Sequence, residues 1–183
     1  MGLIWIFVAA FWGVAEATVF FFVPDVVLTA GVMKFGFRRA LRLAVFAAGS
    51  ASLAGIGMWM WGAHDAAAAR SVMLLVPAIG PDLLARAHSE IAGLWPLHLF
   101  VGAITGLPYK LYAIEAGARG INPYLFALVS FPARMVRFVL TMGLTAIARE
   151  ALSRMQWIRW RYHVLALGWT LFYAVYFSYR AVM

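Results

Sequence analysis

The sequence predicts an all-α integral membrane protein with two inverted re-entrant helical hairpins. A transmembrane helix follows each hairpin, and a further transmembrane helix closes the C-terminus. Three observations predict this fold class. The 183 residues are 65% hydrophobic and only 12% charged, whereas soluble domains are about 25% charged. Several apolar stretches reach the roughly 20 residues that a membrane-spanning helix needs. Two of them are interrupted by proline beside a charged residue, which is typical of broken helices in transporters.

Composition also limits the function classes. The net charge of +8 indicates Lys and Arg at a cytoplasmic membrane surface, where they contact anionic lipid. There is no polar domain for nucleic acid, so we expect no nucleic-acid partner. The absence of cysteine excludes disulfides, thiolate catalysis and thiolate metal sites. No Lys or Arg precedes the first apolar stretch, so we expect no cleaved signal peptide.

We interpret the chain as one membrane domain, 1–183, with five consecutive segments. They are a hairpin plus a span at 1–62, an outer loop with a short amphipathic helix at 63–90, an inverted hairpin plus a span at 91–148, a basic cytoplasmic loop at 149–162, and a closing helix at 163–183.

The first segment contains an apolar stretch, 3–33, that carries Glu16 and Asp25. Pro24 breaks it, because proline starts a helix readily but does not continue one. The following apolar run, 43–62, is long enough to span. In the second segment, Pro81 begins the short amphipathic helix.

The charge distribution determines the interpretation of the third segment. Cytoplasmic loops are enriched in Lys and Arg, so both basic clusters should face the cytoplasm. If 91–118 were a simple span, the second cluster would lie outside. We therefore expect 91–118 to enter and leave on the outer side, with its break at Thr105-Gly106-Leu107-Pro108. The clusters are Lys34, Arg38, Arg39 and Arg42, and Arg149, Arg154, Arg159 and Arg161.

The two hairpins share a short pattern. In each, a proline is followed by a charged residue, a short apolar helix, Ala-Gly and a base, and then a full span. Because the two units face opposite ways, the pattern matches the inverted repeats of transporters.

Glu16 and Asp25 are the first candidate site residues. Two buried carboxylates repel each other and lose hydration, so they are suited to coupling transport to protons or cations. Asp25 has an alternative role as the cap of the second half-helix beside Pro24.

Lys110 lies in the first turn of a half-helix that begins at Pro108-Tyr109. The positive end of the helix dipole disfavours a cation there unless an anion joins it. We therefore place Pro108, Tyr109 and Lys110 in a substrate or phosphate site. The alternative is a lysine whose stem snorkels to the interface.

Arg134 and Arg137 share one helix face at i, i+3 spacing. Arg134 falls near mid-membrane, and guanidinium binds phosphate or carboxylate as a fork. We add both to the phosphate site, and we add Glu115 to the ion-coupling residues. The alternative is a structural salt bridge to Glu115, Glu16 or Asp25.

We expect no metal site and no cofactor. The four histidines lack metal-ligand spacing, and no phosphate-binding loop or hydrolase motif is present. A membrane enzyme such as a lipid phosphatase would need a nucleophilic His or an Arg/His/Asp cluster, so the sequence favours a transporter over an enzyme.

On these residues the chain resembles the DedA family, also called the VTT or SNARE-associated Golgi protein domain. It is most similar to the branch, termed YqaA-like, whose second hairpin reads Pro-Tyr-Lys. The resemblance covers about residues 10 to 145. The matching pieces are Glu16 with Pro24-Asp25, Gly49 and Gly55 with Trp59 to Gly62, Leu107-Pro108-Tyr109-Lys110, Ala116-Gly117, and Ser130 to Arg137-Phe138.

The resemblance implies opposed re-entrant hairpins, a bacterial inner membrane location and movement of lipid across the bilayer. The implied lipids are undecaprenyl phosphate or phospholipid. Glu16 and Asp25 match the family's acidic pair, Lys110 stands near its second-hairpin base, and Arg134 and Arg137 match the basic face that follows. The chain departs from the commoner pattern because Val101-Gly102-Ala103 carries no arginine and the downstream base is a lysine.

Our leading hypothesis is a flippase or scramblase for an anionic lipid, with proton coupling. Its expected partners are a lipid head group, protons or monovalent cations, and a second copy of the chain in a homodimer. One alternative is a proton- or cation-coupled transporter of a small solute. The other is a structural membrane protein whose charges pair only with one another.

Overall fold

A computed structural model of the protein is all-helical over the part of the chain that it describes. It describes residues 2–18, 20 and 22–182, with the backbone alone at 180–182. Met1, Val19, Phe21 and Met183, which fall within the predicted terminal segments, lie outside the described residues.

The helices follow one another in chain order. They are α1 (Leu3–Ala17), α2 (Asp25–Phe35), α3 (Phe37–His64), α4 (Ala66–Met73), α5 (Pro81–Ala92), α6 (Trp95–Thr105), α7 (Tyr109–Ala118), α8 (Pro123–Arg154) and α9 (Arg161–Val182), with a 3-10 turn at Ile158–Trp160 before α9.

Both interrupted apolar stretches form two helices separated by a break. We call α1 and α2 the first helix pair, and α6 and α7 the second. Pro24 directly precedes α2. Gly106 ends α6 with φ of 84°, a conformation that glycine adopts without a Cβ clash. Pro108 precedes α7. The break predicted at Gly106 is where α6 ends, and each predicted proline directly precedes the helix that follows its break.

The region between α3 and α6 is more helical than predicted. Instead of a loop with one short helix at 63–90, the chain forms both α4 and α5. Asp65 caps α4, because its carboxylate accepts a hydrogen bond of 2.9 Å from the Ala68 amide. The alanine run after Asp65 favours helix strongly, so the loop prediction was wrong there.

Two of the described helices are long and apolar enough to cross a membrane. They are α3, with 28 residues, and α8, with 32. The closing helix α9 has 22 residues but is not among these two. Its many tyrosines, two of them Tyr173 and Tyr176, together with His163, make it less apolar than the other two.

α3 and α8 each contribute to two hydrophobic clusters. The first cluster joins the first helix pair to the early part of α3, such as Leu43, and to the late part of α8, such as Phe138. The second joins α7 to the later part of α3, such as Met58, and to the early part of α8, such as Phe126. The first helix pair therefore packs on the early part of α3, and α7 of the second pair packs on its later part.

Glycines bring α3 and α7 into backbone contact. A Cβ added to Gly62 would lie 2.1 Å from the Ile114 carbonyl oxygen, and one added to Gly117 would lie 1.9 Å from the Trp59 carbonyl oxygen. Small residues permit this close approach, as is common where helices pack in membranes. At the beginning of α7, next to Lys110, a Cβ added to Gly55 would lie 2.1 Å from the Tyr109 hydroxyl oxygen, so α7 contacts α3 along its length.

Gly62→Ala is expected to destabilise the protein by about 1–3 kcal/mol, because the new methyl group overpacks the contact with α7. Gly57→Ala on the same helix is the control, since a Cβ there meets no atom within 4 Å and alanine favours helix. Thermal unfolding in detergent, followed by circular dichroism, measures both. Equal melting temperatures for the two variants would contradict the packing described here.

Candidate functional site

The break between α1 and α2 exposes backbone polar groups, and side chains satisfy them. Trp12 donates its indole N–H to the Phe22 carbonyl at 3.0 Å. The Val23 amide donates to the Tyr173 hydroxyl at 3.0 Å. Lys110 donates to the Phe20 carbonyl at 2.6 Å. Irregular backbone is tolerated away from water when protein groups satisfy it in this way, and the break thereby becomes a fixed part of a site.

Glu16 and Arg134 form a buried ion pair. Arg134 Nη2 donates to Glu16 Oε2 at 2.5 Å, and the two side chains are 5% and 7% exposed respectively. The guanidinium also lies 4.2 Å above the ring of Tyr109, a cation–π contact that holds its plane. Arg134 is therefore engaged on two sides and faces the carboxylate of the first helix pair.

Asp25 forms the second ion pair, with Arg137. Its other oxygen accepts a hydrogen bond of 2.6 Å from the Thr141 hydroxyl. Its carboxylate makes no capping hydrogen bond to α2. The structure thus assigns Asp25 to contacts with α8, in place of the capping role considered from the sequence.

Lys110 differs from the two arginines. It is 2% exposed, and no carboxylate oxygen of the described residues lies within 4.0 Å of its Nζ. Its one hydrogen bond in this part of the chain goes to the Phe20 carbonyl. An ammonium group has three donors, so two N–H groups of Lys110 find no acceptor among the described residues.

A cavity of about 720 Å³ lies beside these charges. Lys110 and Arg137 line it together with Glu16 and Asp25, while Arg134 lies behind Glu16 and lines a separate, smaller cavity. Apolar side chains from α6, α8 and α9 form much of the remaining wall. They include Ile104, Leu140, Leu144, Val164, Leu165 and Phe172.

α9 supplies one wall of the cavity through two hydrogen bonds to the first helix pair. Trp169 donates its indole N–H to the Thr29 hydroxyl at 3.0 Å, and the Tyr173 hydroxyl accepts from the Val23 amide. Tyr173 also packs edge-on against Phe22. The closing helix is therefore attached to the break whose carbonyl Lys110 binds.

Glu115 lies apart from the cavity. It accepts hydrogen bonds from Arg70 on α4, with Nε at 2.6 Å and Nη2 at 2.9 Å, and it lies 2.8 Å from His88 Nδ1 on α5. The hydrogen bond with Glu115 raises the pKa of the Arg70 guanidinium. This carboxylate, which we had grouped with the ion-coupling residues, attaches α4 and α5 to α7.

The structure brings together seven of the eight residues selected from the sequence, and Glu115 is the exception. Glu16, Asp25, Pro108, Lys110 and Arg137 line the large cavity, and Arg134 pairs with Glu16. Tyr109 stacks on Arg134 and lines the smaller cavity. Within the described residues, no three His, Asp or Glu side chains come together as metal ligands.

Sequence reasoning missed several residues of the site. The Phe20 carbonyl carries no sequence signal, because any residue could supply it. Thr141 and Trp169 had weak signals: Thr141 lies four residues after Arg137, on the same helix face, and Trp169 lies four before Tyr173. The contacts of Arg70 and His88 with Glu115 depend on how the outer helices fold over α7.

Comparison of the chain with protein-family models, curated proteins and solved structures finds no match.

Glu16→Gln is expected to destabilise the protein by about 3–5 kcal/mol, because Arg134 is left as a buried charge without a partner. Glu150→Gln is the matched control. It removes a carboxylate from an exposed pair with Arg154 on α8 and should cost at most about 0.5 kcal/mol. Chemical unfolding in detergent compares the two. An equal cost would show that Glu16 carries no buried charge pair.

Proposed function

We propose that the protein is a membrane translocase, a flippase or scramblase, for an anionic lipid. The observation that carries this proposal is Lys110, a buried cation without a carboxylate partner among the described residues, on the wall of a cavity of about 720 Å³. A buried charge that lacks a counter-charge is costly. An anionic head group would supply the missing charge.

A lipid environment is supported by the surface of the protein. Large apolar side chains are exposed on many helices, such as Ile4 at 73%, Leu53 at 70%, Leu128 at 70% and Leu144 at 68%. Water-soluble monomers rarely expose apolar surface on this scale. Together with the lengths of α3 and α8, this favours a protein that is embedded in a bilayer.

The positions of the helix pairs support a re-entrant arrangement. The first pair packs on the early part of α3, and α7 of the second pair packs on its later part, as two hairpins entering from opposite leaflets would. The basic residues near the start of α3 and the end of α8 would face the cytoplasm. The family resemblance implies opposed hairpins of this kind in a bacterial inner membrane.

The head group would bind at the beginning of α7. The first N–H groups of a helix lack intrahelical acceptors, and α7 begins directly after Pro108. The two remaining donors of Lys110 would add to these N–H groups. A phosphate oxygen suits such a set of donors, because it accepts several hydrogen bonds and carries negative charge.

The hydrocarbon chains would remain outside the protein core. Ile104, Leu140, Leu144 and Phe172 line the cavity, yet they are 62%, 53%, 68% and 52% exposed. The same side chains thus face both the cavity and the surroundings. A lateral opening of this kind would admit a lipid head group while its tails stay in the bilayer, whereas a small polar solute gains nothing from it.

The two ion pairs would supply proton coupling. Protonation of Glu16 or Asp25 would release Arg134 or Arg137 from its partner. The released guanidinium would then be available to the head group as it moves past the breaks in the two helix pairs. Loss of the head group would favour return of the proton to solvent, because the arginine again needs its carboxylate.

Lys110→Ala is expected to reduce lipid flipping in proteoliposomes at least tenfold, because the site loses its unpaired cation. Lys110→Arg should keep part of the activity, since the charge remains. Lys34→Ala is the control, because Lys34 is exposed near the end of α2 and does not line the cavity. A fluorescent phospholipid and a membrane-impermeant quencher measure the flipping rate.

Wild-type flipping by a folded Lys110→Ala variant would remove this residue from the mechanism. Electrical currents on a solid-supported membrane that require a small solute, with no lipid movement, would favour the solute transporter instead.

Cysteine labelling tests the re-entrant arrangement. The chain has no cysteine, so single substitutions are informative. Ser89→Cys on α5 and Ala118→Cys at the end of α7, both exposed, should react with an impermeant reagent from the same side of the membrane. Ser153→Cys near the end of α8 should react only from the other side. Labelling of positions 89 and 118 from different sides would contradict the proposed hairpin.

A further inference from the structure

The charges of the site do not cancel. Arg134 balances Glu16, and Arg137 balances Asp25. Lys110 remains, so the five charges carry a net charge of +1 when all are ionised. One negative charge on a ligand would make the whole group neutral.

The other groups that face the site are neutral, so they do not alter this count. Among the described residues they come from α2, α7, α8 and α9, and they bear hydroxyl or indole groups that stay uncharged near pH 7. They are Thr29 on α2, Thr141 and Thr145 on α8, and Trp169, Tyr173 and Tyr176 on α9, with Tyr109 on α7 beside Arg134.

An anion with two charges would leave the site with an excess negative charge. Burying an uncompensated charge is unfavourable for either sign. The carboxylates of Glu16 and Asp25 would oppose the second charge directly, because both line the same cavity. The site therefore discriminates by the number of charges on the head group.

We propose that the site selects a phosphodiester lipid, whose head group has one net negative charge, and admits a phosphate monoester only together with a proton. This inference rests on the proposed function, because it concerns the head group that the translocase binds. Lys110 is the specificity-determining residue, since it is the one of these five charges that has no ion-pair partner among the described residues. The proton would reside on the monoester itself, or on Glu16 or Asp25.

The test compares three lipids with identical acyl chains on the purified full-length protein in detergent. Phosphatidylglycerol is a phosphodiester with one negative charge, phosphatidic acid is a monoester, and phosphatidylcholine has no net charge. Native mass spectrometry or a fluorescence competition assay gives each affinity between pH 6 and pH 9. Glycerophosphoglycerol, the same head group without acyl chains, serves as the soluble competitor.

Phosphatidylglycerol should bind at least tenfold more tightly than phosphatidylcholine throughout. The second proton of a phosphate monoester leaves with a pKa of about 6. Above that pH, the affinity for phosphatidic acid should fall about tenfold per pH unit relative to phosphatidylglycerol, since binding of the monoester then requires uptake of one proton. The readout is the ratio of the affinities for the two lipids, so an effect of pH on the protein that is common to both lipids cancels. Lys110→Gln should abolish the preference for phosphatidylglycerol, and Lys110→Arg should retain it.

The outcomes separate this inference from the proposed function. A ratio of phosphatidic acid to phosphatidylglycerol binding that does not change with pH overturns the selection by charge and leaves an anionic-lipid site standing. Retention of the preference by Lys110→Gln overturns the role of Lys110. Equal binding of all three lipids, or competition by glycerophosphoglycerol as strong as that by the lipid, overturns both.

Discussion

The hydrogen bond from Lys110 to the Phe20 carbonyl joins the breaks of the two helix pairs. A lysine at the positive end of a helix is unfavourable by itself, and a carbonyl released by a helix break is unfavourable when it lacks a donor. The hydrogen bond gives the carbonyl a donor and gives the lysine one acceptor. A neutral carbonyl does not cancel a charge, however, so the contact leaves an electrostatic deficit beside the cavity. The site, the proposed ligand and its charge selectivity all depend on that deficit.

The arginines of α8 show the opposite solution. Each finds a carboxylate of the first helix pair, which ties α8 to α1 and α2 through charge as well as through the apolar cluster of Leu43 and Phe138. Buried pairs of this kind contribute little net stability but are costly to break on one side. They favour a single arrangement of the helices. In the proposed transport, protonation of either carboxylate would release its arginine.

The second helix pair is held by polar contacts with α4 and α5 and by close backbone packing on α3. Glu115 binds Arg70 and His88, and Tyr112 donates a hydrogen bond to Glu90 on α5, while α7 contacts the backbone of α3 through Gly62 and Gly117. α7 is therefore fixed on several sides, and Lys110 is held at its beginning. By contrast, α9 is attached to the first helix pair mainly through Trp169 and Tyr173, so the closing helix forms the least constrained wall of the cavity.

The sequence by itself determined the helical class, two helices long enough to span, both helix breaks and the charged residues that need partners. It did not determine the helix lengths, since α8 continues to Arg154, into the segment predicted as a basic loop. The features that it determined follow from local physics: proline and glycine interrupt helices, apolar length predicts a span, and a charge in an apolar stretch needs a partner. The pairing of those charges was decided only by the tertiary structure. From the sequence, Glu16, Asp25 and Glu115 were equivalent partners for the arginines, because spacing along a helix shows which face a residue occupies but not which helix lies opposite. Packing on α3 placed Glu16 and Asp25 against α8 and sent Glu115 to the outer helices. That arrangement left Lys110 without a carboxylate partner among the described residues, a property of the folded protein that no local pattern contains.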